Sequence, residues 1–167
     1  MNDYLLHNPM AHLCLSSHLN NEFMNKNGPV VIIEDDVDDQ EFLADIFKKL
    51  KYPNKLIFFK DGSQAYDFLS ATEEMPFIIL SDVHMPHLNG FDLKNAIKAD
   101  CNSGIQCVPF LFFSTTSTKN ILIDAYTKST QGFFLKENSI EELEKTIKVI
   151  MEYWKRCVSP NNFASAA

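Results

Sequence analysis

One aspartate, Asp82, follows an apolar run after a single serine and opens the stretch DVHMPHLNG. Other reactive groups also follow apolar runs: Glu34, Asp35, Asp36, Ser114, Thr115, Thr116 and Lys136. Clustered carboxylates repel one another, and a bound hard cation such as Mg²⁺ removes that conflict because it prefers oxygen ligands. A hydroxyl and a lysine beside the metal suit the remaining oxygens of a phosphoryl group. We therefore expect Asp82 to accept a phosphoryl group and form an acyl phosphate.

These side chains can meet only if the apolar runs are parallel strands of one sheet. The runs are short and continuous, as in strands buried on both faces, and cover residues 30–33, 56–59, 77–80, 110–113 and 133–135. Helical patterns alternate with them at residues 38–50, 63–70, 90–99, 118–129 and about 139–157. This order predicts an α/β, flavodoxin-like fold: a doubly wound five-stranded parallel sheet with helices on both faces. Such sheets bind ligands at the carboxyl ends of their strands.

Two helical patterns indicate which side chains face inward. In the first helix Phe42, Ile46 and Leu50 recur at every fourth position, and we expect them to form part of the buried stripe. Late in the last helix, Tyr153 and Trp154 fit either the core or a dimer face. Trp154 shares the apolar stripe of its helix, which favours the core for that residue.

Composition limits the class of protein. The 167 residues suffice for one ordinary domain, and the net charge of −7 argues against nucleic-acid binding. No apolar run reaches the roughly 18 residues of a membrane span. The cysteines lack zinc-site spacing and are expected to be free thiols, at Cys14, Cys101, Cys107 and Cys157. We expect a cytoplasmic protein that does not contact membranes.

The patterned region has a different composition from both ends of the chain. Residues 1–28 are rich in Asn, His and Ser and are predicted to form a flexible extension. An alternative is a short helix over residues 10–24 that docks on the domain or on a partner. The domain is predicted to cover residues 29–157, and a disordered tail residues 158–167.

Four motifs in order resemble the receiver domain of bacterial two-component response regulators, over about residues 29–157. They are IIEDD, SDVHMPHLNG, a serine five residues after Pro109, and Lys136 22 residues after Ser114. More narrowly, the chain is similar to single-domain regulators paired with bacterial phytochromes. That narrower similarity depends on STTS at 114–117, Ala125-Tyr126 and Tyr153-Trp154.

Carried over by position, the resemblance implies a Mg²⁺ site beside the phosphorylated residue, Asp82. Asp35 would touch the metal directly and Glu34 through water, and the backbone carbonyl of His84 would be a third protein ligand. Asp36 is expected only to cap the following helix.

The resemblance also implies that Ser114 and Lys136 bind phosphoryl oxygens. The residues expected to switch or tune the site are Phe133, His84, Thr115 and Thr116. Three positions depart from the usual pattern. Glu137 replaces the proline after the lysine, Thr115 is larger than usual, and Phe133 lacks the hydroxyl of a switch tyrosine, which favours inward packing.

The resemblance implies a phosphorylation-switched signalling module rather than an enzyme, beyond catalysis of its own phosphoryl transfer and dephosphorylation. Its phosphodonor would be a sensor histidine kinase, including a phytochrome-type kinase, or a phosphotransfer protein. Its output would be altered partner binding, or a homodimer through the face of the fourth helix, fifth strand and last helix. One alternative is a phosphorylation-independent docking module on the same fold. Another, a Mg²⁺-dependent phosphatase, would need a carboxylate where His84 stands.

Overall fold

The computed structural model describes residues 25–100, 104–137 and 139–158. All five predicted strands and all five predicted helices are present in the predicted order. The strands are β1 (Val30–Ile33), β2 (Leu56–Phe59), β3 (Ile78–Ser81), β4 (Phe110–Ser114) and β5 (Gly132–Leu135). The helices are α1 (Val37–Leu50), α2 (Gly62–Ala71), α3 (Gly90–Ala99), α4 (Lys119–Thr127) and α5 (Ile140–Arg156).

The strands form one parallel sheet in the order β2-β1-β3-β4-β5. Strand order reverses between β1 and β3, where Ile33 lies opposite Ser81 in the register. The residues after these two strands therefore emerge side by side at one edge of the sheet. In sheets of this kind that position is where ligands bind. The flavodoxin-like fold that the sequence predicts is confirmed.

Two apolar layers cover the sheet, one on each face. Val31 and Ile33 of β1 point into the layer that contains α2, α3 and Ala125 of α4. Val30 and Ile32 point to the opposite face, where α1 and α5 pack. The alternation within a single strand explains why every residue of β1 is apolar.

Side chains at the first residue before each helix fix where the helices begin. Asp36, Asp61, Asn89, Thr118 and Ser139 each accept a hydrogen bond from a backbone N–H of the first turn. The expected capping role of Asp36 is confirmed, since its Oδ1 accepts from Asp38 N at 2.8 Å and from Asp39 N at 3.2 Å.

The predicted inward position of Phe42 is wrong, because its side chain is 50% exposed. The buried residues of α1 are Leu43, Ile46 and Phe47. These lie at steps of three and four residues and form a narrower stripe than the sequence suggests. Phe42 lies at the edge of that stripe and reaches solvent.

Several boundaries differ from the sequence prediction. The expected loop over residues 100–108 contains a 3-10 turn at Ile105–Cys107, and β3 begins at Ile78 instead of residue 77. Helix α4 ends at Thr127, two residues early, and Ser129 adopts a positive φ of 61° that ends the helical path.

Most of the predicted N-terminal extension, residues 1–24, lies outside the described residues, as do residues 159–167. Residues 25–28 lie against the domain. Lys26 Nζ donates to the carbonyl of Lys155 at 2.8 Å, and Asn54 Nδ2 donates to the carbonyl of Gly28 at 2.8 Å. Within the described ranges, none of the helices has the length and apolar character needed to cross a membrane.

Candidate functional site

The reactive side chains predicted from the sequence meet at the carboxyl ends of β1, β3, β4 and β5. Asp82 follows β3, and its N–H donates to the carbonyl of Ile33 in β1 at 2.9 Å. Lys136 follows β5, and its N–H donates to the carbonyl of Ser114 at 2.9 Å. These backbone bonds continue the ladder beyond the strands, so the sheet itself fixes where the side chains start.

Asp82 is 8% exposed, and its carboxylate is held in one orientation. Its Oδ1 accepts hydrogen bonds from Val83 N at 2.5 Å, His84 N at 3.3 Å and Ser114 Oγ at 2.7 Å. Its Oδ2 lies 3.4 Å from Lys136 Nζ. Hydrogen bonds to the ionised form stabilise a buried carboxylate, so this setting suits a charged, oriented nucleophile.

Lys136 is surrounded by carboxylates. Its Nζ donates to Glu34 Oε2, to Asp39 Oδ2 at 2.7 Å and to Asp82 Oδ2 at 3.4 Å. Burial would lower the pKa of Lys136, but the hydrogen bonds to Asp39 and Glu34 outweigh burial and raise that pKa. The ammonium therefore stays charged, as a partner for phosphoryl oxygens must.

Glu34 is buried directly after β1. Burial raises the pKa of its carboxyl group to about 7, the charge of Asp82 adds to the rise, and Lys136 opposes it. Its Oε1 accepts from Asp36 N at 3.3 Å, and its backbone carbonyl accepts from Gln40 Nε2 at 2.5 Å. A buried acid with a raised pKa at a strand end is a candidate functional residue.

Three carboxylates are arranged as a metal site would require. Glu34, Asp35 and Asp82 each offer an oxygen, and these oxygens lie within 4.8 Å of one another. Asp35 is exposed, whereas the other two are buried. The cluster offers only oxygen donors and is open to solvent on one side. Both properties fit Mg²⁺, which prefers oxygen ligands and keeps several of its waters.

The residues expected to tune the site are mostly exposed. The His84 side chain is exposed, and Thr115 and Thr116 are exposed directly after β4. Phe133 is half-buried, and its ring centroid lies 6.1 Å from that of Phe112 in the core. The peptide bond between Lys136 and Glu137, where the usual proline is replaced, is trans.

Gly90 explains the fixed spacing of the SDVHMPHLNG stretch. Its N–H donates to the carbonyl of Val83 at 3.1 Å, which closes the loop behind Asp82. A Cβ at position 90 would lie 2.2 Å from the backbone oxygen of Asp82, a distance that real Cβ atoms do not show. Glycine is therefore required for the backbone to pass this close to Asp82.

Asp39 is a site residue that the sequence pattern does not predict. Asp39 lies in the first turn of α1, where acids are favoured by the helix dipole without any further role. Only the fold brings it to Lys136, which is 97 residues away in the chain. The sequence offered one indication of this role. Asp39 lies three residues after the capping Asp36, so both side chains are at the same end of the helix.

A groove opens beside Lys136, between α1 and the start of α5. It has a volume of about 220 Å³, and polar residues on one part of its lining meet an apolar part formed by Phe42, Leu43, Phe113, Ile140 and Leu143. Phe42 and Ile140 are both about half exposed. An exposed apolar surface next to a reactive centre is suited to contact with another protein.

A second set of exposed apolar side chains lies on α4, β5 and α5. Its exposed members are Ile123, Tyr126, Leu135, Val149 and Tyr153. Trp154 is half-buried and packs against the α1–α5 core, while its neighbour Tyr153 is 61% exposed. The two residues, which the sequence left open between core and interface, thus have different positions.

Residues 30–148 match the model of the family described as the response regulator receiver domain. A curated protein described as probable methanogenesis regulatory protein FilR2, from Methanothrix harundinacea (strain 6Ac), is 24% identical over 129 residues. The match covers 75% of this chain and 82% of FilR2. In some longer curated relatives the matched region is only 18% to 38% of the protein.

Solved structures share the fold. The phosphorylated cyanobacterial phytochrome response regulator RcpA superposes with a TM-score of 0.72 and 21% identity, covering 79% of this chain and 97% of RcpA. The Mn²⁺-bound form of response regulator Rcp1 gives a TM-score of 0.68 and 22% identity, covering 78% of this chain and 97% of Rcp1. At these identities the likeness shows the fold alone.

Proposed function

The chain belongs to the response regulator receiver domain family, and on that premise we propose that Asp82 accepts a phosphoryl group from a sensor histidine kinase or a phosphotransfer protein. Receiver domains are phosphorylation-dependent signalling modules, and the chain is one of these. The observation that carries the assignment to Asp82 is its buried carboxylate, which Ser114 Oγ contacts at 2.7 Å and Lys136 Nζ at 3.4 Å.

In the transfer step, a carboxylate oxygen of Asp82 attacks the phosphorus of the donor's phosphohistidine. An O–P bond forms as the N–P bond breaks, and the donor imidazole leaves with the electron pair of the broken bond. The Ser114 hydroxyl and the Lys136 ammonium lie against the two oxygens of Asp82. Both are therefore within reach of the oxygens that the phosphoryl group brings.

Glu34, Asp35 and Asp82 would hold Mg²⁺, with the carbonyl of His84 as a further ligand. When bound, Mg²⁺ supplies neutralisation of the charge on the transferring phosphoryl group. The donor set supports this proposal, and so does the existence of a Mn²⁺-bound form of the structural neighbour Rcp1. The protein would catalyse only its own phosphorylation and, by attack of water on the acyl phosphate, its own dephosphorylation.

The signal would pass from Asp82 to the surface of α4, β5 and α5. Phosphorylation places new negative charge beside Ser114, which pulls this hydroxyl and the end of β4 toward the phosphoryl group. Phe133 on β5 packs against Phe112 of β4, so a shift of β4 reaches β5. Thr115 and Thr116 follow Ser114 and would set how freely its loop moves.

The exposed apolar side chains of α4, β5 and α5 make this face suitable for contact with another protein. We propose that phosphorylation makes it a homodimer interface or a partner site. The groove of Phe42 and Ile140, beside Lys136, would receive the phosphodonor. The similarity to RcpA favours a phytochrome-type kinase as that donor, and such a kinase would meet the protein in the cytoplasm.

A docking module that works without phosphorylation is less well supported. Docking alone does not require a carboxylate, a hydroxyl and an ammonium to lie together at one buried site. A phosphatase is disfavoured because His84, two residues after Asp82, has no carboxylate to act as acid and base.

Intact-protein mass spectrometry tests the proposal. The protein is incubated with MgCl₂ and acetyl phosphate, with Asp82→Asn and a magnesium-free sample as controls. A gain of one phosphoryl group that needs both Asp82 and Mg²⁺ would support the proposal. No gain in folded wild-type protein would favour the docking module.

A further inference from the structure

The three N–H donors of the Lys136 ammonium each face a carboxylate, and one of these carboxylates lies outside the metal cluster. Asp39 on α1 accepts from Lys136 Nζ at 2.7 Å, a shorter distance than the 3.4 Å to Asp82. The other acceptor is Glu34. In this state the lysine is closer to a helix residue than to the nucleophile it must assist.

A phosphoryl group on Asp82 needs a donor from Lys136, and an ammonium has only three. The contact with Asp82 is long, at 3.4 Å, so a close bond to the phosphoryl group draws the ammonium away from Asp39 or Glu34. The Asp39 side chain is 35% exposed, against 3% for Glu34 and 9% for Asp82. Water can replace the hydrogen bond of an exposed carboxylate at low cost, but it cannot do so for a buried one.

We propose that Asp39 is a positioning residue that holds Lys136 in the unphosphorylated state and competes with the phosphoryl group for its ammonium. This inference rests on the proposed function of Asp82. Because Asp39 belongs to α1 and Lys136 follows β5, the ion pair joins two elements in the resting state and opens when the site is filled. Asp39 thereby limits how readily the protein switches.

The same ion pair borders the groove proposed for the phosphodonor. Asp39, Phe42 and Lys136 all line it. A donor protein seated on Phe42 would contact Asp39 as well, so docking and release of Lys136 would be coupled.

The affinity for beryllofluoride, a mimic of the phosphoryl group, tests this inference without any turnover. Isothermal titration calorimetry in MgCl₂ compares wild type with Asp39→Asn and with Asp38→Asn. Asp38 is an exposed acid in the same helical turn that is not among the carboxylates contacting Lys136. Both variants remove one charge from the same end of α1, so their difference isolates the contact with Lys136.

Asp39→Asn should bind beryllofluoride roughly threefold to tenfold more tightly than wild type, from the size of a partly exposed ion pair. Asp38→Asn should change affinity by less than about twofold. The gain should shrink in high salt, which screens the Asp39 charge. The charge-preserving Asp39→Glu should restore wild-type affinity, and unfolding midpoints in urea should confirm that all variants fold.

Equal affinities of the two asparagine variants for beryllofluoride, or weaker binding by Asp39→Asn, would overturn the role of Asp39. If wild type still bound beryllofluoride in that case, the proposed function would stand. Absence of binding by folded wild type in MgCl₂ would overturn both the proposed function and the role of Asp39.

Discussion

The hydroxyl of Ser114 donates to Asp82 Oδ1 at 2.7 Å, from the end of β4 to the end of β3, and both side chains are buried. The group proposed to report phosphorylation is thus in contact with the proposed nucleophile before any transfer. A change at Asp82 acts directly on β4, with no intervening residue.

Ser114→Ala removes this contact. Asp82 keeps its two backbone donors, so we expect a loss of about 1 kcal/mol in the free energy of unfolding. Phosphorylation should persist, but the response of the α4–β5–α5 face to beryllofluoride should be lost. Urea unfolding and light scattering measure the two effects.

Ser63→Ala, the same substitution at an exposed position of α2, is the matched control and should keep both stability and response. A Ser114→Ala protein that responds like wild type would rule out Ser114 as the link to the surface.

Lys136→Met leaves Glu34, Asp39 and Asp82 facing one another without their shared ammonium. Removing one partner from a buried ion pair typically costs about 3 kcal/mol or more, and we expect that loss in the presence of a chelator. Added MgCl₂ should recover part of the stability, because a cation again neutralises the acids. Urea unfolding with and without MgCl₂ measures this.

Lys49→Met tests whether loss of any ion pair has the same effect. Lys49 pairs with Glu144 at 2.5 Å on the surface. This variant should leave the unfolding midpoint nearly unchanged, and MgCl₂ should not affect the difference. If both lysine variants behaved alike, the carboxylate cluster would not be the reason for the magnesium effect.

The convergence of Glu34, Asp82 and Lys136 could be predicted from the sequence, because parallel strands end at the same side of a sheet. Asp39 could not, since its contact with Lys136 depends on the angle between α1 and the sheet. The error at Phe42 has a similar cause. Periodicity gives the direction of an apolar stripe but not its width, which depends on how α5 packs against α1.

Lys94 is a further feature that periodicity did not indicate. It is only 4% exposed on α3, with Nζ 3.5 Å from Gln131 Oε1 and 4.9 Å from the centroid of the Phe110 ring. A polar residue within one turn of Leu93 and Ile97 would ordinarily mark the solvent side of a helix. Here the side chain instead enters the space beside β4.

Lys94 predicts a pH dependence of stability. Burial, with a smaller effect from Lys98, lowers the pKa of Lys94 to about 8. Between pH 8 and the ordinary pKa near 10.5, the unfolded state binds more protons than the folded state, so this residue makes stability rise with pH there. Below pH 8 its burial lowers the free energy of unfolding by roughly 3 kcal/mol.

Lys94→Met should therefore be more stable than wild type at pH 7, and its advantage should fall between pH 8 and 10.5. Lys48→Met, at an exposed position of α1, should show no such trend. Urea unfolding across this pH range measures the free energy of unfolding of each protein. A difference between Lys94→Met and wild type that stayed constant with pH would contradict a lowered pKa of Lys94.

Gly90→Ala should displace the loop that carries Asp82. The new Cβ would meet the backbone oxygen of Asp82 at 2.2 Å, so the backbone must move. We expect a loss of roughly 2 kcal/mol in unfolding free energy and strongly reduced phosphorylation by acetyl phosphate. Asn95→Ala, at an exposed position of α3, should affect neither. Unchanged phosphorylation of Gly90→Ala would mean that the loop tolerates this shift.

The two apolar surfaces should have separate roles. Tyr153→Ser removes an exposed aromatic side chain from α5 and should weaken any beryllofluoride-dependent dimer by roughly tenfold or more. Phe42→Ser, on α1, should leave dimerisation unchanged. Sedimentation of both variants with and without beryllofluoride tests this, and equal effects would argue against the α4–β5–α5 face as the interface.

The most direct test of the central claim identifies the residue that carries the phosphoryl group. The protein is phosphorylated with acetyl phosphate in MgCl₂ and reduced with borohydride, which converts an aspartyl phosphate to homoserine, and its peptides are sequenced by mass spectrometry. Homoserine at position 82 alone, absent when MgCl₂ is withheld, is the result we predict. Homoserine at another acid, or at no acid in folded protein, would contradict the assignment of Asp82.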